Sequence, residues 1–344
     1  MTQISSASGK PRDSDRSEHD RPPTGSLGKQ PTTDQEVLAF LERRLGRLHA
    51  RQRLGIEAEH EAQAFGQGLN FFHIENWYSV HSVIRSALWV AGLYERGRRN
   101  ADDVRLQHNR VRAKRLPCAF DGFTILQISD MHADISQGAM QRAIELLISL
   151  HYDICVLTGD FRGKTFGPFA QAMECVEQVR TYLQGPVYGV LGNHDTIRMV
   201  PALEAMNIHM LLNECVAIER GAMRIYLAGV DDAHFFRMDN IEKAGDPIPQ
   251  GAFAVLLSHT PEIYRQAAHS EFDLMLSGHT HGGQICLPGG IPITLDSKVP
   301  RRLGAGAWTY QGMAGYTSVG AGSSIVPVRL NCPPEITLHY LERA

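Results

Sequence analysis

The sequence predicts an α/β fold in which most strands of a first sheet run parallel. Five short apolar runs, rich in Val, Ile and Leu, are each followed closely by Gly, Asp, Asn or Ser: 124–128, 154–157, 187–191, 254–257 and 274–276. Such runs are typical of buried strands. Helical patterns separate the first three runs, and strands that alternate with helices pair in parallel through right-handed crossovers.

The first 115 residues show a different pattern. We expect residues 1–30, which are rich in Ser, Asp, Arg, Lys and Pro, to form a disordered tail. Residues 31–115 are predicted to be a helical extension. Thr33 and Glu36 have the spacing of a capping box at the start of a first helix.

A Gly-punctuated link at 55–68 is predicted to lead to a second helix over 77–94, which carries an aromatic and aliphatic face. Three arginines follow it between residues 96 and 99. Two alternatives stay open for this segment. It packs on the domain that follows it or on another subunit, or residues 77–99 make a peripheral contact with an anionic membrane.

Residues 116–344 are predicted to form one domain. Helical patterns with Met140 and Phe169 among their apolar positions lie between the first three strands. Later strands, such as the one at 224–230, are separated by fewer helices, which indicates a second sheet.

Charge and cysteine content restrict the class of protein. The formal net charge is −3, and eight of the 34 basic residues lie between 95 and 115, so we expect a local surface partner and no nucleic acid. Six cysteines without a Cys-x-x-Cys pair favour a cytoplasmic protein. Two uncharged stretches, 274–295 and 303–328, contain too many Gly, Ser, Thr and Pro residues for membrane spans.

Polar side chains follow all five apolar runs. Asp130 and His132 follow the first run, and Asp160 follows the second. The remaining donors lie after the other three runs: Asn193, His194, Asp195, His259, His279 and His281. A mixture of carboxylates and imidazoles suits Mn, Fe or Zn, so the sequence predicts a metal site at the edge where these strands end.

In this order the motifs Asp-x-His, Gly-Asp, Gly-Asn-His-Asp, His and Gly-His-x-His resemble those of the calcineurin-like metallophosphoesterases, over roughly residues 116–341. The resemblance implies a four-layer αββα sandwich of two mixed β-sheets. The chain is most similar to a bacterial branch that closes with Asn-Cys-Pro-Pro-Glu-Ile, here residues 331–336. Some members of that branch are assigned as UDP-2,3-diacylglucosamine pyrophosphatases.

The resemblance also implies two divalent metal ions. Asp130, His132, Asp160 and His281 would ligate one ion, and Asp160, Asn193, His259 and His279 the other, with Asp160 as the shared ligand. A hydroxide that bridges the ions would then attack phosphorus.

His194 and Asp195 have no place among these ligands. We expect His194 to stabilise charge in the transition state and to protonate the leaving oxygen. Asp195 is predicted to orient the His194 ring, and it also fits the N-cap of a following helix. His234 follows another strand-like run, and it either reaches the site or lies in a solvated loop. Arg162 and Lys164, just beyond Asp160, either bind a second phosphate or lie in a solvated loop.

The sequence therefore predicts a cytoplasmic, metal-dependent hydrolase of a phosphodiester or pyrophosphate bond, with peripheral contact at the inner membrane face as an alternative. A nucleotide-lipid such as UDP-2,3-diacylglucosamine would suit the apolar and basic N-terminal segment, whereas cyclic nucleotides and other phosphodiesters remain open. The alternative from another class is a non-catalytic scaffold with the same fold. Such a scaffold would have lost ligands, and this chain keeps the full set.

Overall fold

The structure is a computed structural model that describes residues 33–66 and 78–344, which fall within one compact unit. The predicted disordered tail and Trp77, the predicted start of the second helix, lie outside these residues.

Four helices precede the first strand in the described part of the chain: α1 (Asp34–Leu45), α2 (Arg47–Gly66), α3 (Tyr78–Val90) and α4 (Tyr94–Asp102). The predicted capping box is present, because the Thr33 side chain accepts from the Glu36 amide and the Glu36 carboxylate accepts from the Thr33 amide.

The predicted link at 55–68 is wrong over its described part, since Gly55 lies inside α2. One glycine costs a helix interior only about 1 kcal/mol, and the Ala, Glu and Gln residues after it favour helix strongly enough to continue through it. The predicted helix through residue 94 is also interrupted. Gly92 adopts a φ of 68°, and the Leu93 amide donates to the Leu88 carbonyl, which ends α3 in a Schellman motif.

The first sheet has six strands in the order β1-β14-β2-β3-β4-β5. Their bounds are β1 (Arg105–Ala113), β2 (Thr124–Ile128), β3 (Ile154–Thr158), β4 (Val187–Val190), β5 (Ile208–Met210) and β14 (Glu335–Arg343). Strands β2 to β5 run parallel, as predicted for β2, β3 and β4, and β14 is antiparallel to β2.

Strand β1 corrects the description of residues 31–115 as helical. It pairs in parallel with β14 over its whole length, so this part of the extension belongs to the sheet. The domain boundary at residue 115 stays a prediction.

The second sheet has the order β12-β13-β9-β8-β7-β6. Its strands are β6 (Glu214–Arg220), β7 (Met223–Gly229), β8 (Ala254–Leu257), β9 (Leu274–Ser277), β12 (Gly306–Tyr310) and β13 (Met313–Thr317). A short hairpin of β10 (Cys286–Leu287) and β11 (Ile291–Pro292) follows β9.

Three apolar clusters produce the layers. Side chains from both sheets, such as Ile125 and Leu257, form a core between them. The outer face of the first sheet packs on α1 and on three further helices: α5 (Gln137–Leu147), α6 (Ala170–Arg180) and α7 (Val200–Ala205). The second sheet is covered by α8 (Ile241–Gly245) and α9 (Tyr264–His269). The predicted four-layer αββα sandwich is therefore confirmed.

Across residues 33–66 and 78–344, no helix has both the length and the apolar character needed to cross a membrane. The uncharged stretches at 274–295 and 303–328 instead contain strands β9 to β13 and their loops.

Candidate metal centre and active site

The predicted ligands lie on loops at the carboxyl ends of five strands. Strands β2, β3 and β4 of the first sheet lead into the loops of Asp130, Asp160 and Asn193, and β8 and β9 of the second sheet lead into those of His259 and His279. All of these side chains, with His132 and His281, are buried. The two sheets thus direct their loops to one place, as the strand pattern predicted.

The backbone is unusual at this edge. Five of the predicted ligands adopt the left-handed region: Asp130 (φ 49°), His132 (39°), Asp160 (55°), His279 (72°) and His281 (50°). Residues other than glycine adopt this region rarely, and such conformations concentrate at functional sites.

Two glycines allow the loops to approach one another closely. A side chain at Gly192 would overlap Asp160 Oδ1, and one at Gly278 would overlap Asp130 Oδ2. These positions tolerate no larger residue without displacing a carboxylate of the site.

Asp130, His132 and His281 form a first cluster, whose potential ligand atoms lie within 4.8 Å of one another. The two Nε2 atoms of His132 and His281 are 3.1 Å apart, and His281 Nε2 is 3.4 Å from Asp130 Oδ1. Three donor atoms therefore converge on one small volume.

Asp160, His259 and His279 form a second cluster of the same size. His259 Nε2 lies 3.2 Å from Asp160 Oδ2 and 2.9 Å from Asn193 Oδ1. Asp160 also faces the first cluster, because its Oδ2 is 3.7 Å from His132 Nε2. Its other oxygen, Oδ1, accepts a hydrogen bond from the His194 amide.

Two of the four histidines, His132 and His259, have the hydrogen bonds that metal ligation needs. His132 Nδ1 lies 2.9 Å from the Arg162 carbonyl and His259 Nδ1 2.8 Å from the Thr158 carbonyl, so each ring can donate from Nδ1 and keep a lone pair at Nε2. The Nε2 atom of His279 is buried without a hydrogen-bond partner among the described residues. A buried, unpaired nitrogen beside a carboxylate fits a metal ligand.

Burial sets the ionisation of the site. It lowers the pKa of His132 to about 3, and it lowers the pKa values of His279 and His281 well below their usual range. The pKa of Asp160 is raised to about 7 by burial, although His259 opposes the shift. The neutral imidazoles of His132, His279 and His281, together with the buried carboxylates of Asp130 and Asp160, form a donor set that fits divalent cations.

His259 differs from the other histidines. Burial alone would lower its pKa, but Asp160 and Asp130 outweigh burial and raise the pKa to about 10. The carboxylates thus stabilise positive charge at this position, as they would stabilise a bound cation.

Arg329 was not anticipated from the sequence. It is fully buried and donates to the carbonyls of Val319 and Gly322, which fixes the loop beside the Gly-His-x-His segment. Its Nη2 lies 3.0 Å from His281 Nδ1. The Arg329 guanidinium can only donate, so His281 Nδ1 accepts in this contact and the proton of the neutral ring lies on Nε2. With the ring in this orientation, Nε2 has no lone pair for a metal ion.

His194 is buried beside both clusters. Its Nε2 is 4.0 Å from Asp160 Oδ2, and its ring meets the His132 ring edge-on with centroids 5.1 Å apart. Its Nδ1 lies 3.3 Å from the Thr165 hydroxyl. Burial lowers the pKa of this ring well below its usual value.

The role predicted for Asp195 requires correction. Its carboxylate accepts hydrogen bonds from the backbone amides of Asp160, Phe161 and Gly192, at 2.8, 2.9 and 2.9 Å. It therefore joins the Asp160 loop to the Asn193 loop, and Thr165 contacts the His194 ring in the position predicted for Asp195. Asp195 is also not the N-cap of the short helix Ile197–Met199, because the Thr196 side chain caps it by accepting from the Arg198 amide.

Three further residues were left open by the sequence. Arg162 is buried and donates to the carbonyls of His194, Thr165 and Gly167, so it supports the loop rather than a solvated surface. The His234 ring lies 4.2 Å from the His279 ring, and its Nδ1 is 3.1 Å from Glu262. No hydrogen bond or ion pair of the described residues brings Lys164 to these clusters.

Helix α2 contributes two residues that the sequence did not reveal as part of the site. Glu57 accepts from the Ile197 amide and the Thr196 hydroxyl, at 2.8 and 2.5 Å. Arg53 is fully buried and donates to the Asp195 carbonyl at 3.0 Å. Their spacing of four residues fits an ion pair on one helix, but Glu57 falls in the segment that was predicted to be a link, and the spacing gives no sign of the loop that the two residues contact.

Comparisons with known proteins agree with this geometry. A family model for calcineurin-like phosphoesterases matches residues 123–283. The uncharacterised metallophosphoesterase YkoQ of Bacillus subtilis is 29% identical, over 74% of this chain and 96% of that protein. Phosphodiesterase YaeI of Escherichia coli is 26% identical, over 63% of this chain and 81% of YaeI.

A third relative, the transmembrane protein with metallophosphoesterase domain of Danio rerio, is 27% identical over 76% of this chain and 62% of its own length. The shared motifs, the two stacked sheets and the clustered donors lead to one assignment. The chain belongs to the calcineurin-like phosphoesterase family and is a metal-dependent phosphoric ester hydrolase.

Proposed function

We propose that this chain holds two divalent metal ions and hydrolyses a phosphodiester or pyrophosphate bond. The observation that carries the proposal is the position of Asp160, whose Oδ2 atom faces His259 at 3.2 Å and His132 at 3.7 Å. A carboxylate that faces two groups of donors could be shared by two ions, as in two-metal hydrolases.

The proposed ligands follow from the two clusters. Asp130, His132, Asp160 and His281 would bind one ion, and Asp160, Asn193, His259 and His279 the other. When bound, the ions supply positive charge that acidifies a water molecule and neutralises the phosphoryl oxygens. Manganese, iron and zinc all suit this donor set.

His194 is proposed to donate a proton to the leaving oxygen. Proton transfer needs the imidazolium form, because a neutral imidazole is too weak an acid. In that form Nδ1 donates to the Thr165 hydroxyl oxygen, and Nε2, the atom nearer to Asp160, carries the proton to be transferred. The negative charge of a bound phosphoester favours this form. Arg162 donates to the His194 carbonyl at 2.5 Å, so the backbone of this residue is fixed as well. The ring is thereby oriented before the substrate arrives.

A nucleotide-lipid is the finer substrate candidate, with UDP-2,3-diacylglucosamine as its example, and peripheral contact with the inner membrane face accompanies it. The exposed Trp89 and Val90 on α3, followed by the exposed Arg96, Arg98 and Arg99 on α4, support this proposal. Apolar and basic side chains together are typical of helices that bind anionic lipid surfaces.

Metal removal tests the reaction. We expect the purified chain to contain about two divalent ions, and chelation to abolish hydrolysis of a chromogenic phosphate bis-ester until Mn²⁺ or a similar ion is restored. A panel with UDP-2,3-diacylglucosamine and cyclic nucleotides then identifies the substrate class. Full activity after exhaustive chelation, confirmed by elemental analysis, would contradict the proposal.

A further inference from the structure

A cavity of about 360 Å³ adjoins the metal-binding clusters. Asp160, His194 and His279 contribute to its lining. Much of the remaining lining is aliphatic and comes from α3, the β10–β11 region and the loop before β14: Ile84, Leu88, Ile285, Ile293, Ile325 and Val326. Its volume lies within the range of small-molecule binding sites.

We propose that this cavity binds an alkyl chain of the substrate, so that the phosphoester cleaved here is a membrane amphiphile. The inference rests on the proposed hydrolysis of a phosphoester, because the catalytic residues form part of the same cavity. A chain bound there would place its phosphoryl group beside Asp160 and His194.

The chemistry of the lining favours an alkyl chain over a sugar or a base. Among its described residues there is no Lys or Arg, and the two carboxylates are Asp160 in the metal centre and the exposed Asp296. Hydroxyl groups placed among aliphatic side chains would lose their hydrogen bonds to water. The described lining also has no Phe, Tyr or Trp on which a base could stack.

One wall of the cavity is held in a strained conformation. Ile325 has a φ of 62°, which is costly for a β-branched residue. Gln284 fixes the residues on both sides of it, since it donates to the carbonyls of Ser324 and Val326 and accepts from the Ser324 amide. Strain that neighbouring contacts maintain is typical of binding sites, so the position of the Ile325 side chain matters to the cavity.

The elements that line the cavity also expose apolar side chains to solvent. Trp89 and Val90 on α3 are 74% and 81% exposed, and Ile291 in the hairpin is 53% exposed. An amphiphile in a lipid surface that these side chains contact would meet the same elements that line the cavity. The exposed arginines of α4 supply the charge that attracts such a surface when it is anionic.

A series of p-nitrophenyl alkyl phosphodiesters tests the inference on the metal-loaded, full-length protein. The alkyl group increases from methyl to octyl, below the concentration at which micelles form, and kcat/KM is measured for each ester. Each buried methylene contributes about 0.8 kcal/mol, so we expect kcat/KM to rise by about fourfold per methylene until the cavity is filled.

Pairs of matched variants test whether the alkyl chain of the substrate binds in the cavity. Ile84→Gln changes the lining, whereas Val83→Gln changes the neighbouring, exposed side chain of the same helix. Ile293→Gln and Leu287→Gln form a second pair, because both side chains are about half exposed and only Ile293 is among the described lining residues. We expect the octyl-to-methyl ratio of kcat/KM to fall at least tenfold in Ile84→Gln and Ile293→Gln, and to stay unchanged in the two controls.

Ile325→Gly tests whether a lowered octyl-to-methyl ratio results only from loss of the folded structure. Glycine relieves the positive φ, so this variant should keep or increase thermal stability while it lowers the octyl-to-methyl ratio. A ratio near one in the wild type, with the methyl ester hydrolysed, would overturn the inference and leave the proposed function intact. No hydrolysis of any ester would contradict both. A high ratio that none of the three lining variants lowers would also overturn the cavity as the chain-binding site.

Discussion

The His194 ring is fixed by Thr165 at Nδ1, and Arg162 fixes its backbone. We expect His194→Asn to lower kcat by about 10²–10⁴-fold, the range for loss of a general acid, with metal content unchanged. Asp160→Asn should instead deplete both ions, because it removes the oxygen that faces both clusters. Elemental analysis beside steady-state kinetics measures both effects, with the exposed Asp103→Asn as a control. Loss of metal in His194→Asn would refute this division of roles.

His339, which is not one of the proposed metal ligands, is predicted to make the free energy of unfolding depend on pH. Burial lowers its pKa to about 3, and its two ring nitrogens lie 3.0 Å from Asn109 and Gln127. Between pH 6.5 and 3 the unfolded chain binds a proton here that the folded chain does not. The free energy of unfolding therefore falls as pH falls, by about 1.4 kcal/mol per pH unit from this group.

We expect His339→Gln to make that dependence shallower, whereas His151→Gln, at an exposed position, should not. Urea unfolding at a fixed metal concentration between pH 4.5 and 6.5 measures the slope. If the free energy of unfolding changed equally with pH in the wild type and in His339→Gln, the lowered pKa of His339 would be contradicted.

Helix α2 contacts the loop at 192–197, which carries the proposed ligand Asn193 and the proposed general acid His194. Glu57 holds the Ile197 amide and the Thr196 hydroxyl, two to four residues beyond Asn193 and His194. Displacement of catalytic groups by about 1 Å can cost 10²-fold in rate. We therefore expect Glu57→Ala to lower kcat by roughly 10- to 100-fold with a smaller change in KM.

Glu59→Ala changes an exposed carboxylate on the same helix and should leave both constants unchanged. Glu57→Gln, which keeps one acceptor oxygen, should recover part of the activity. If Glu57→Ala lowered only thermal stability, the residue would support the fold and not the catalytic loop.

The elements that local pattern specifies could be predicted from the sequence. The capping box of α1 lies within four residues, and strands β2, β3 and β4 are buried on both faces, which leaves a continuous apolar run. Strand β1 could not be recognised in this way. It is polar, with Arg105, Arg110 and Arg112 exposed, and it is a strand because it pairs with β14, more than 200 residues away.

In the candidate site, too, local sequence pattern predicts some residues and not others. Its donors could be predicted because each follows a strand directly, and the carboxyl ends of such strands meet at one edge. The residues that hold these donors could not, since Arg53 and Arg329 act through carbonyls and side chains that are remote in sequence. The role of Asp195 was misjudged for a related reason. Because Asp195 follows His194 directly, a contact between their side chains was expected. In the structure the Asp195 carboxylate instead accepts hydrogen bonds from backbone amides of two loops.

At the scale of the whole molecule, the exposed Trp89 and Val90 of α3 are followed by the exposed Arg96, Arg98 and Arg99 of α4, which leads to a test of membrane contact. Each arginine close to an anionic surface contributes on the order of 1 kcal/mol, and the attraction decays within a Debye length of about 10 Å at 0.1 M salt. We expect the full-length protein to sediment with anionic vesicles at low salt, and less so as salt rises.

Replacement of both Trp89 and Val90 by Gln should weaken that binding, because their apolar area no longer enters the lipid. Leu48→Gln is the matched control, since Leu48 is 72% exposed on α2, and no described side chain of that helix lines the cavity. Hydrolysis of the methyl ester in solution should be the same in all three proteins, because none of these side chains contacts the metal centre. If the wild-type protein stays in the supernatant with anionic vesicles at low salt, α3 does not dock on lipid, and an amphiphilic substrate must reach the cavity from solution.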